Sequence, residues 1–321
     1  MYRHILPSLL VLLCSCGGRN SEIIQSAKSD DFPVTVDVPD TQIELPSIIN
    51  IEEWTIDDGR LLCRTKDADK VFYTFNLETF ATTDSFGNIG QGPGEYVTPR
   101  LIYSPEARTI VADLAKDVFI TLDDSVQRKI TNAVKGRNLN RPVDLKFPVL
   151  GFTELTRDDR KWLIANIETG ELIDSIMLTH DGIPKDVPVD IKVSAKDNKV
   201  VLVSQFVDEI RIAELSEGEK IKLLRLFKGS AAPTAMQPCY VDVTCGKDRF
   251  YAVSLKNMSF SENGEMSGNS VIEVYDYDGN PIAKLTPEFI PRKILIDERR
   301  NRLICLSVDD DNIHLIPLNG I

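Results

Sequence analysis

The sequence predicts an all-β protein, a six-bladed β-propeller, because a hairpin pattern recurs along it at a regular interval. Residues 188–204, 238–254 and 291–307 align without a gap, and each stretch begins with Pro and ends with Ser. Each has an alternating apolar run, a polar turn and a second apolar run, which is the pattern of a β-hairpin. A hairpin repeated about every fifty residues is typical of propeller blades.

Two further markers predict the number of blades. Prolines recur at intervals of 43 to 53 residues, as Pro46, Pro99, Pro142, Pro188, Pro238 and Pro291. Basic residues lead into apolar runs at Arg60, Arg108, Arg160, Lys199, Arg249 and Arg302. Proline is tolerated at the first residue of a strand, where no ladder N–H is needed. Each marker occurs six times, which predicts six repeats.

The outer strands follow the hairpins. Third strands are expected at 71–75, 118–122, 209–213, 271–275 and 313–317. The sixth repeat has no further strand after 313–317, so the N-terminal segment is expected to supply it. Either 34–38 or 41–45 has the required alternation. Pairing with 313–317 would close the ring and cover an edge that otherwise templates aggregation.

The N-terminus has the pattern of an export signal. A basic start at Arg3 precedes an apolar run at 5–13, which is too short to span a membrane. The residues Leu13-Cys14-Ser15-Cys16 resemble the lipobox of bacterial lipoproteins. This resemblance implies cleavage of a signal peptide at 1–15 and a lipid on Cys16. Residues 16–30 are then a polar tether and 31–321 the propeller domain. An ordinary secretory signal is the alternative, and the membrane face is left open.

Composition excludes some partners. The net charge is −12, and no basic stripe is present, so nucleic acid is not an expected partner. Hydrophobic residues make up 42% of the chain, enough for one large core, and we expect a monomer. Cys63 and Cys305 fall at the same place in two repeats and are expected to be buried and free. Asp276, Asp278 and Asn280 lack the Gly and Glu of a calcium loop, so neither a metal nor another cofactor is predicted.

A glycine-rich loop is the most distinctive local motif. Residues 90–96 read Gly-Gln-Gly-Pro-Gly-Glu-Tyr, and Gly90, Gly92, Pro93 and Gly94 exclude a helix or a strand interior. With the lipobox and the sixfold period, this loop resembles that of TolB-like six-bladed β-propeller lipoproteins of Bacteroidetes. The resemblance covers residues 40–321 and implies fold and envelope location, with no defined biochemical role.

Binding residues are expected at the mouth of the channel, where the loops entering the innermost strands converge. The candidates are Arg100, Arg141, Arg292, Glu95, Tyr96 and Tyr240. Three guanidinium forks at one rim would suit the carboxylate, phosphate or sulfate groups of a ligand. The alternative is that each arginine pairs with a nearby carboxylate and joins adjacent blades.

The leading functional hypothesis is a noncatalytic binding or scaffolding lipoprotein that engages a protein or glycan, with an anionic group as the preferred contact. The alternative is a propeller enzyme, a lactonase-like hydrolase or a lyase with a divalent metal in the channel. No catalytic residue is assigned. Of the histidines, His314 alternates with apolar residues in a strand, and His180 lies in a turn and is the better candidate base.

Overall fold

The computed structural model describes residues 24–27, 30–39, 41–45, 50–57, 59–66, 69–102, 109–122, 128–131, 137, 139–155, 160–178, 183–184, 186–188, 190–216, 220–234, 237–261, 266–308, 310 and 312–321. Nearly all of its regular structure is β. The predicted signal peptide 1–15, Cys16 and His180 lie outside these residues.

Three N-terminal strands precede the blades: β1 (Ile24–Ala27), β2 (Thr35–Asp37) and β3 (Thr41–Ile43). The first three sheets in chain order contain β4 (Asn50–Asp57), β5 (Arg60–Lys66), β6 (Phe72–Asn76) and β7 (Thr82–Phe86); β8 (Pro99–Ile102), β9 (Thr109–Asp113), β10 (Val118–Leu122) and β11 (Arg128–Thr131); and β12 (Leu139–Lys146), β13 (Val149–Leu155), β14 (Arg160–Asn166) and β15 (Leu172–Met177). In each sheet the strands lie side by side in sequence order, so each is one propeller blade.

The other three blades follow the same order. They contain β16 (Ile191–Lys196), β17 (Lys199–Ser204), β18 (Glu209–Leu215) and β19 (Ile221–Lys228); β20 (Tyr240–Cys245), β21 (Arg249–Ser254), β24 (Val271–Asp276) and β25 (Pro281–Thr286); and β26 (Pro291–Asp297), β27 (Arg302–Ser307) and β28 (Ile313–Pro317). A small hairpin, β22 (Met258–Phe260) with β23 (Met266–Gly268), is inserted in the fifth blade. Two 3-10 turns lie at Leu114–Lys116 and Glu298–Arg300.

The N-terminal strands add to the outer edges of consecutive blades. β3 pairs antiparallel with β28 and is the fourth strand of the sixth sheet, which is the second of the two pairings considered for ring closure. β2 pairs parallel with β25, and β1 pairs parallel with β19. The tether predicted at 16–30 is therefore wrong at 24–27, where the chain is a strand attached to the fourth blade.

The hydrophobic core is divided among the six contacts between neighbouring blades. Each contact has its own cluster of buried side chains, including one between the first and sixth blades that contains Leu61 and Ile304. Second strands such as β17, β21 and β27 are buried along almost their whole length. Both faces of such a strand pack against a neighbouring blade, so its sequence is continuously apolar.

Two details of the predicted repeat are corrected. Arg160 begins the third strand of its blade, because β13 follows β12 after a two-residue turn. The gapless alignment also does not hold in space. Ile191 pairs with Ser204, whereas Pro291 itself pairs with Ser307. The turn of the sixth hairpin is longer, and this shifts its first strand relative to the others.

The four cysteines in the described part of the chain are all buried, and no disulfide joins any two of them. Cys63 and Cys305 occupy the equivalent position in β5 and β27, as the repeat predicted, and both are fully buried. Burial raises the pKa of both the Cys63 and Cys245 thiols, the latter to about 11, which favours the unreactive thiol. Among the residues described, no helix is both long and apolar enough to cross a membrane.

Candidate functional site

One position of the innermost strand recurs in all six blades. Near the same end of each blade, the second strand has a buried polar residue, and these are Thr65, Asp113, Glu154, Ser204, Ser254 and Ser307. The residue directly before this polar residue pairs with one residue of the innermost strand, and that innermost residue defines the position. The residues at this position are Glu53, Arg100, Asn140, Lys192, Asp242 and Lys293, and all of them line the channel or its mouth. Since the blades surround one axis, these residues form one layer, which we call the channel ring.

The mouth of the channel is a cavity of about 690 Å³. Among the described residues that line it, seven are basic and three are acidic. The basic residues are Arg64, Arg100, Arg141, Arg160, Lys192, Arg292 and Lys293. A narrower cavity of about 210 Å³ continues along the same innermost strands, past Ser194, Thr244 and Leu295. The mouth is thus cationic in a protein whose net charge is −12.

Both carboxylates of the channel ring are used to join blades. Glu53 on the first blade accepts the backbone N–H of Leu101 on the second at 2.8 Å, and also accepts from Arg64 and Arg100, each at 2.9 Å. Asp242 on the fifth blade accepts the backbone N–H of Ile294 on the sixth at 2.8 Å. The innermost strand of a blade has one edge whose backbone groups have no partner strand, and each of these carboxylates accepts one backbone N–H from such an edge.

The three predicted arginines do line one cavity. Two of them also pair with acids, as the alternative expected: Arg100 binds Glu53, and Arg141 forms a two-pronged ion pair with Asp190 and donates to the carbonyl of Ile191. Arg141 has a positive φ of 50°, at an irregularity in the pairing of β12 with β13. Arg100 and Arg141 therefore join neighbouring blades and also contribute positive charge to the mouth.

Lys192 and Lys293 are the channel-ring cations without such a partner. Neither forms an ion pair within 4 Å in the part of the chain that the structure describes, although Asp242 lies near enough to attract both. Burial lowers the pKa of Lys192, and the cations Arg141 and Lys293 contribute to that lowering. Among the described residues that line it, the mouth therefore has more basic side chains than carboxylates.

The glycine loop does not reach this cavity. The Glu95 carboxylate folds back to accept the N–H of Gly92 at 2.7 Å, and a side chain at Gly90 would collide with that carboxylate. Lys116 donates to the carbonyls of Gly92 and Glu95. Gly94 has a φ of +76°, and Pro93 lies between these glycines. The loop motif Gly90, Gly92, Pro93 and Gly94 is thus a closed structural turn, and Glu95 is wrong as a channel-mouth residue.

The two predicted tyrosines are also wrong as mouth residues. Tyr96 is buried against Phe72 at the contact between the first two blades. Tyr240 is fully buried, and its hydroxyl donates to Glu273 at 3.0 Å. Tyr240 occupies the same position in its innermost strand as Ile191, since each pairs with the buried serine of the second strand. Side chains at this position point between blades, and the residue of the channel ring comes later in the strand.

Tyr240 belongs to a buried ionic cluster. The Lys256 ammonium lies 3.1 Å from Glu273 and 3.4 Å from Asp208, and the Tyr275 hydroxyl also donates to Glu273. Asp208 and Glu273 are almost completely buried, and burial together with Glu273 raises the pKa of Tyr240. We call these five residues the Lys256 cluster. It joins the fourth and fifth blades, and a lysine occupies the space between its carboxylates.

His314 is the histidine that lies in the described part of the chain. His314 is buried, stacks on Phe289 with ring centroids 3.9 Å apart, and has Nε2 3.3 Å from Asp310. Within the described residues, no group of three or more His, Cys, Asp and Glu side chains is arranged to hold a metal ion.

The sequence reading missed four basic mouth residues, Arg64, Arg160, Lys192 and Lys293. The two lysines had a signal, since each follows the start of an innermost strand. The gapless alignment hid it by matching Lys192 with Leu295 instead of Lys293.

Solved structures with this arrangement of blades are similar over most of the chain. A predicted exported protein from Bacteroides fragilis has a TM-score of 0.53 at 13% identity, with 92% of this chain and 98% of that chain covered. The calcium-binding protein regucalcin from Agrobacterium tumefaciens has 0.52 at 14%, with 90% and 95% covered. A gluconolactonase from Xanthomonas campestris has 0.51 at 10%, with 84% and 86% covered. At these identities only the propeller fold is shared. No family model and no curated protein matches the sequence.

Proposed function

We propose that this chain is a noncatalytic binding propeller of the cell envelope, which holds an anionic group of a protein or glycan partner at the mouth of its channel. The observation that carries the proposal is the convergence of seven basic side chains and three acidic ones on one cavity of about 690 Å³. A cavity of this size is in the range that holds a small ligand or the end of a larger one.

The charge at the mouth supports an anion in preference to a neutral ligand. The Glu53 carboxylate is occupied by Arg64, Arg100 and a backbone N–H, and Asp190 is occupied by Arg141. Lys192 and Lys293 keep donors that no carboxylate within 4 Å takes up in the described chain. An anion between them would accept charge-assisted hydrogen bonds and offset both the burial and the repulsion by Arg141 and Lys293 that lower the pKa of Lys192.

The envelope location and the lipid anchor are part of this proposal. They are supported by the apolar run before Cys16, by the lipobox at 13–16 and by the resemblance of residues 90–96 to TolB-like propeller lipoproteins. The structural similarity to a predicted exported protein from Bacteroides fragilis agrees with export.

A metal-dependent propeller enzyme is the second candidate, favoured only by the fold shared with a gluconolactonase and with regucalcin. In this chain the channel carboxylates Glu53 and Asp242 already hold backbone N–H groups of the next blade. Lys192 and Lys293 lie in the same layer and would repel a divalent cation. The geometry therefore supports anion binding better.

The test is calorimetric binding of inorganic phosphate and sulfate to the purified protein. We expect binding that the double variant Lys192→Gln/Lys293→Gln weakens by at least about tenfold. The matched control is Lys146→Gln/Lys247→Gln, which removes two exposed lysines from the opposite end of the innermost strands and should bind like the wild type.

Two results would overturn the proposal. One is equal binding of these anions by the wild type and the Lys192/Lys293 variant, with both shown to be folded by circular dichroism. The other is tight Ca²⁺ binding in the channel together with lactone hydrolysis that a chelator abolishes.

A further inference from the structure

A second basic cavity lies on the contact between the first and second blades. Its volume is about 280 Å³, and its described lining comes from the end of β5, the start of β6, the segment at 89–98 and the start of β8. We call this cavity the seam groove. Its lining residues are Arg64, Thr65, Lys66, Lys70, Val71, Ile89, Val97, Thr98, Pro99 and Arg100.

The seam groove is continuous with the channel mouth. Arg64 and Arg100 line both cavities, so the two share a wall of guanidinium groups. Arg64 is largely buried and held by Glu52 and Glu53, whereas the Arg100 side chain is 46% exposed and, among the described residues, contacts the carboxylate of Glu53. A ligand that enters the mouth can therefore extend along the seam groove and remain in contact with basic side chains.

The groove combines this charge with an exposed apolar side chain. Four of its lining residues are basic, and no carboxylate lines its described part. Lys70 donates to the amide oxygen of Asn88, which leaves its charge unneutralised. Ile89 is 67% exposed, more than any other large hydrophobic side chain in the described chain, and it lies beside Val71 and Val97. Exposed apolar area beside unbalanced charge is a feature of protein-binding surfaces.

We propose that the seam groove and the mouth together bind an extended acidic peptide segment of a partner protein, with carboxylates on the basic residues and an apolar side chain against Ile89. This rests on the proposed function, because it identifies the carrier of the anionic group. A peptide is favoured over a glycan because aliphatic side chains line the seam and no aromatic ring lies in its described lining for a sugar to stack on.

The test uses a fluorescein-labelled eight-residue peptide of alternating Glu and Leu, followed by fluorescence anisotropy with the full protein at low salt. The seam variant is Lys66→Gln/Lys70→Gln, the apolar variant is Ile89→Ser, and the mouth variant is Lys192→Gln/Lys293→Gln. Lys146→Gln/Lys247→Gln is the control for lost charge. A peptide with Gln in place of Glu and a polygalacturonate fragment are the comparison ligands, and phosphate reports the mouth alone.

We expect the seam variant to weaken peptide binding by about five- to tenfold and to leave phosphate binding unchanged, because Lys66 and Lys70 line only the groove. Ile89→Ser should weaken peptide binding without altering the dependence of that binding on salt concentration. The Gln peptide should not bind.

The outcomes separate the two proposals. If the mouth variant loses phosphate and peptide while the seam variant binds the peptide like the wild type, the seam inference is overturned and anion binding at the mouth stands. If polygalacturonate binds with dependence on Lys66 and Lys70 and the peptide does not, the partner is a glycan and the peptide inference is overturned. If phosphate binding is equal in all variants, the mouth proposal itself fails.

Discussion

Glu53 and Leu101 are joined by a hydrogen bond of 2.8 Å from the backbone N–H of the second blade to the carboxylate of the first. Asp242 makes the equivalent bond to Ile294, from the fifth blade to the sixth. The acidic residues of the channel ring thus join blades, while the lysines of the same ring, Lys192 and Lys293, form no ion pair within 4 Å in the described chain and are the residues that we propose contact a ligand. The same layer of residues therefore joins neighbouring blades and places positive charge in the channel.

Glu53→Gln should destabilise the protein. The change removes the carboxylate that Arg100 contacts, leaves Arg64 with Glu52 and weakens the acceptor for Leu101, which we expect to lower the free energy of unfolding by about 2–3 kcal/mol. Urea unfolding measures this, with Glu171→Gln as a control because that carboxylate is exposed and contacts no cation in the described chain. Equal losses in both variants would show that Glu53 does not join the blades.

Lys256→Met should destabilise the protein further. It removes the ammonium that pairs with the buried carboxylates of Asp208 and Glu273, so the expected loss is about 3–5 kcal/mol. Adding Asp208→Asn and Glu273→Gln removes the uncompensated charges and should recover part of the loss. Unfolding in urea checks both steps, and a triple variant no more stable than Lys256→Met would contradict a net ionic role for the cluster.

Removal of the closing strand should weaken the whole ring. A chain beginning at residue 46 lacks β3, so β28 loses its partner and Ile43 and Leu45 no longer pack against the cluster between the first and sixth blades. We expect its melting temperature to fall by at least about 5 °C relative to a chain beginning at residue 39, which lacks β1 and β2 but keeps β3. Identical melting of the two chains would mean that β3 contributes nothing to closure.

Anion binding should be linked to proton uptake in alkaline solution. The pKa of Lys192 is lowered in the folded protein, so its charged form is penalised, and the free energy of unfolding should rise with pH from the folded pKa up to about 10.4. A bound anion raises this pKa again, and some of the lysine then takes up a proton. Phosphate titrations at pH 9 in buffers of different ionisation enthalpy measure that uptake, which should be lost in Lys192→Gln.

Lipidation of Cys16 is tested in cells of a bacterium that processes lipoproteins. We expect Cys16→Ser to move the protein from the membrane fraction to the soluble fraction and to abolish incorporation of labelled palmitate. The matched variant Cys14→Ser should keep the label. A labelled Cys16→Ser protein would rule out this anchor.

The fold was predictable because a propeller repeats one local pattern. Alternating runs, turn residues and prolines near strand starts are visible in the chain itself, and so is the lack of an outer strand for 313–317. The partners of β1 and β2 were not predictable, since parallel addition to an edge depends on which edges are exposed in the finished ring.

The site was predictable only in part. Arg100, Arg141 and Arg292 meet in one cavity as expected from their places near repeated prolines. Tyr240 was misplaced because a shift of one residue in a strand turns a side chain from the channel to the space between blades, and Glu95 because its carboxylate folds back onto the N–H of Gly92. The bulges at Glu52, Val241 and Arg292 introduce that shift in three blades and not in the fourth.

The sequence by itself determined the class of fold, the number of blades and the burial of Cys63 and Cys305, because these follow from local periodicity and from which residues can be buried. Only the tertiary structure decided that Glu53, Arg100, Asn140, Lys192, Asp242 and Lys293 form one ring. That ring depends on the register of six separate strand pairs, and register is set by turn lengths and bulges whose effect appears only when all six blades are assembled.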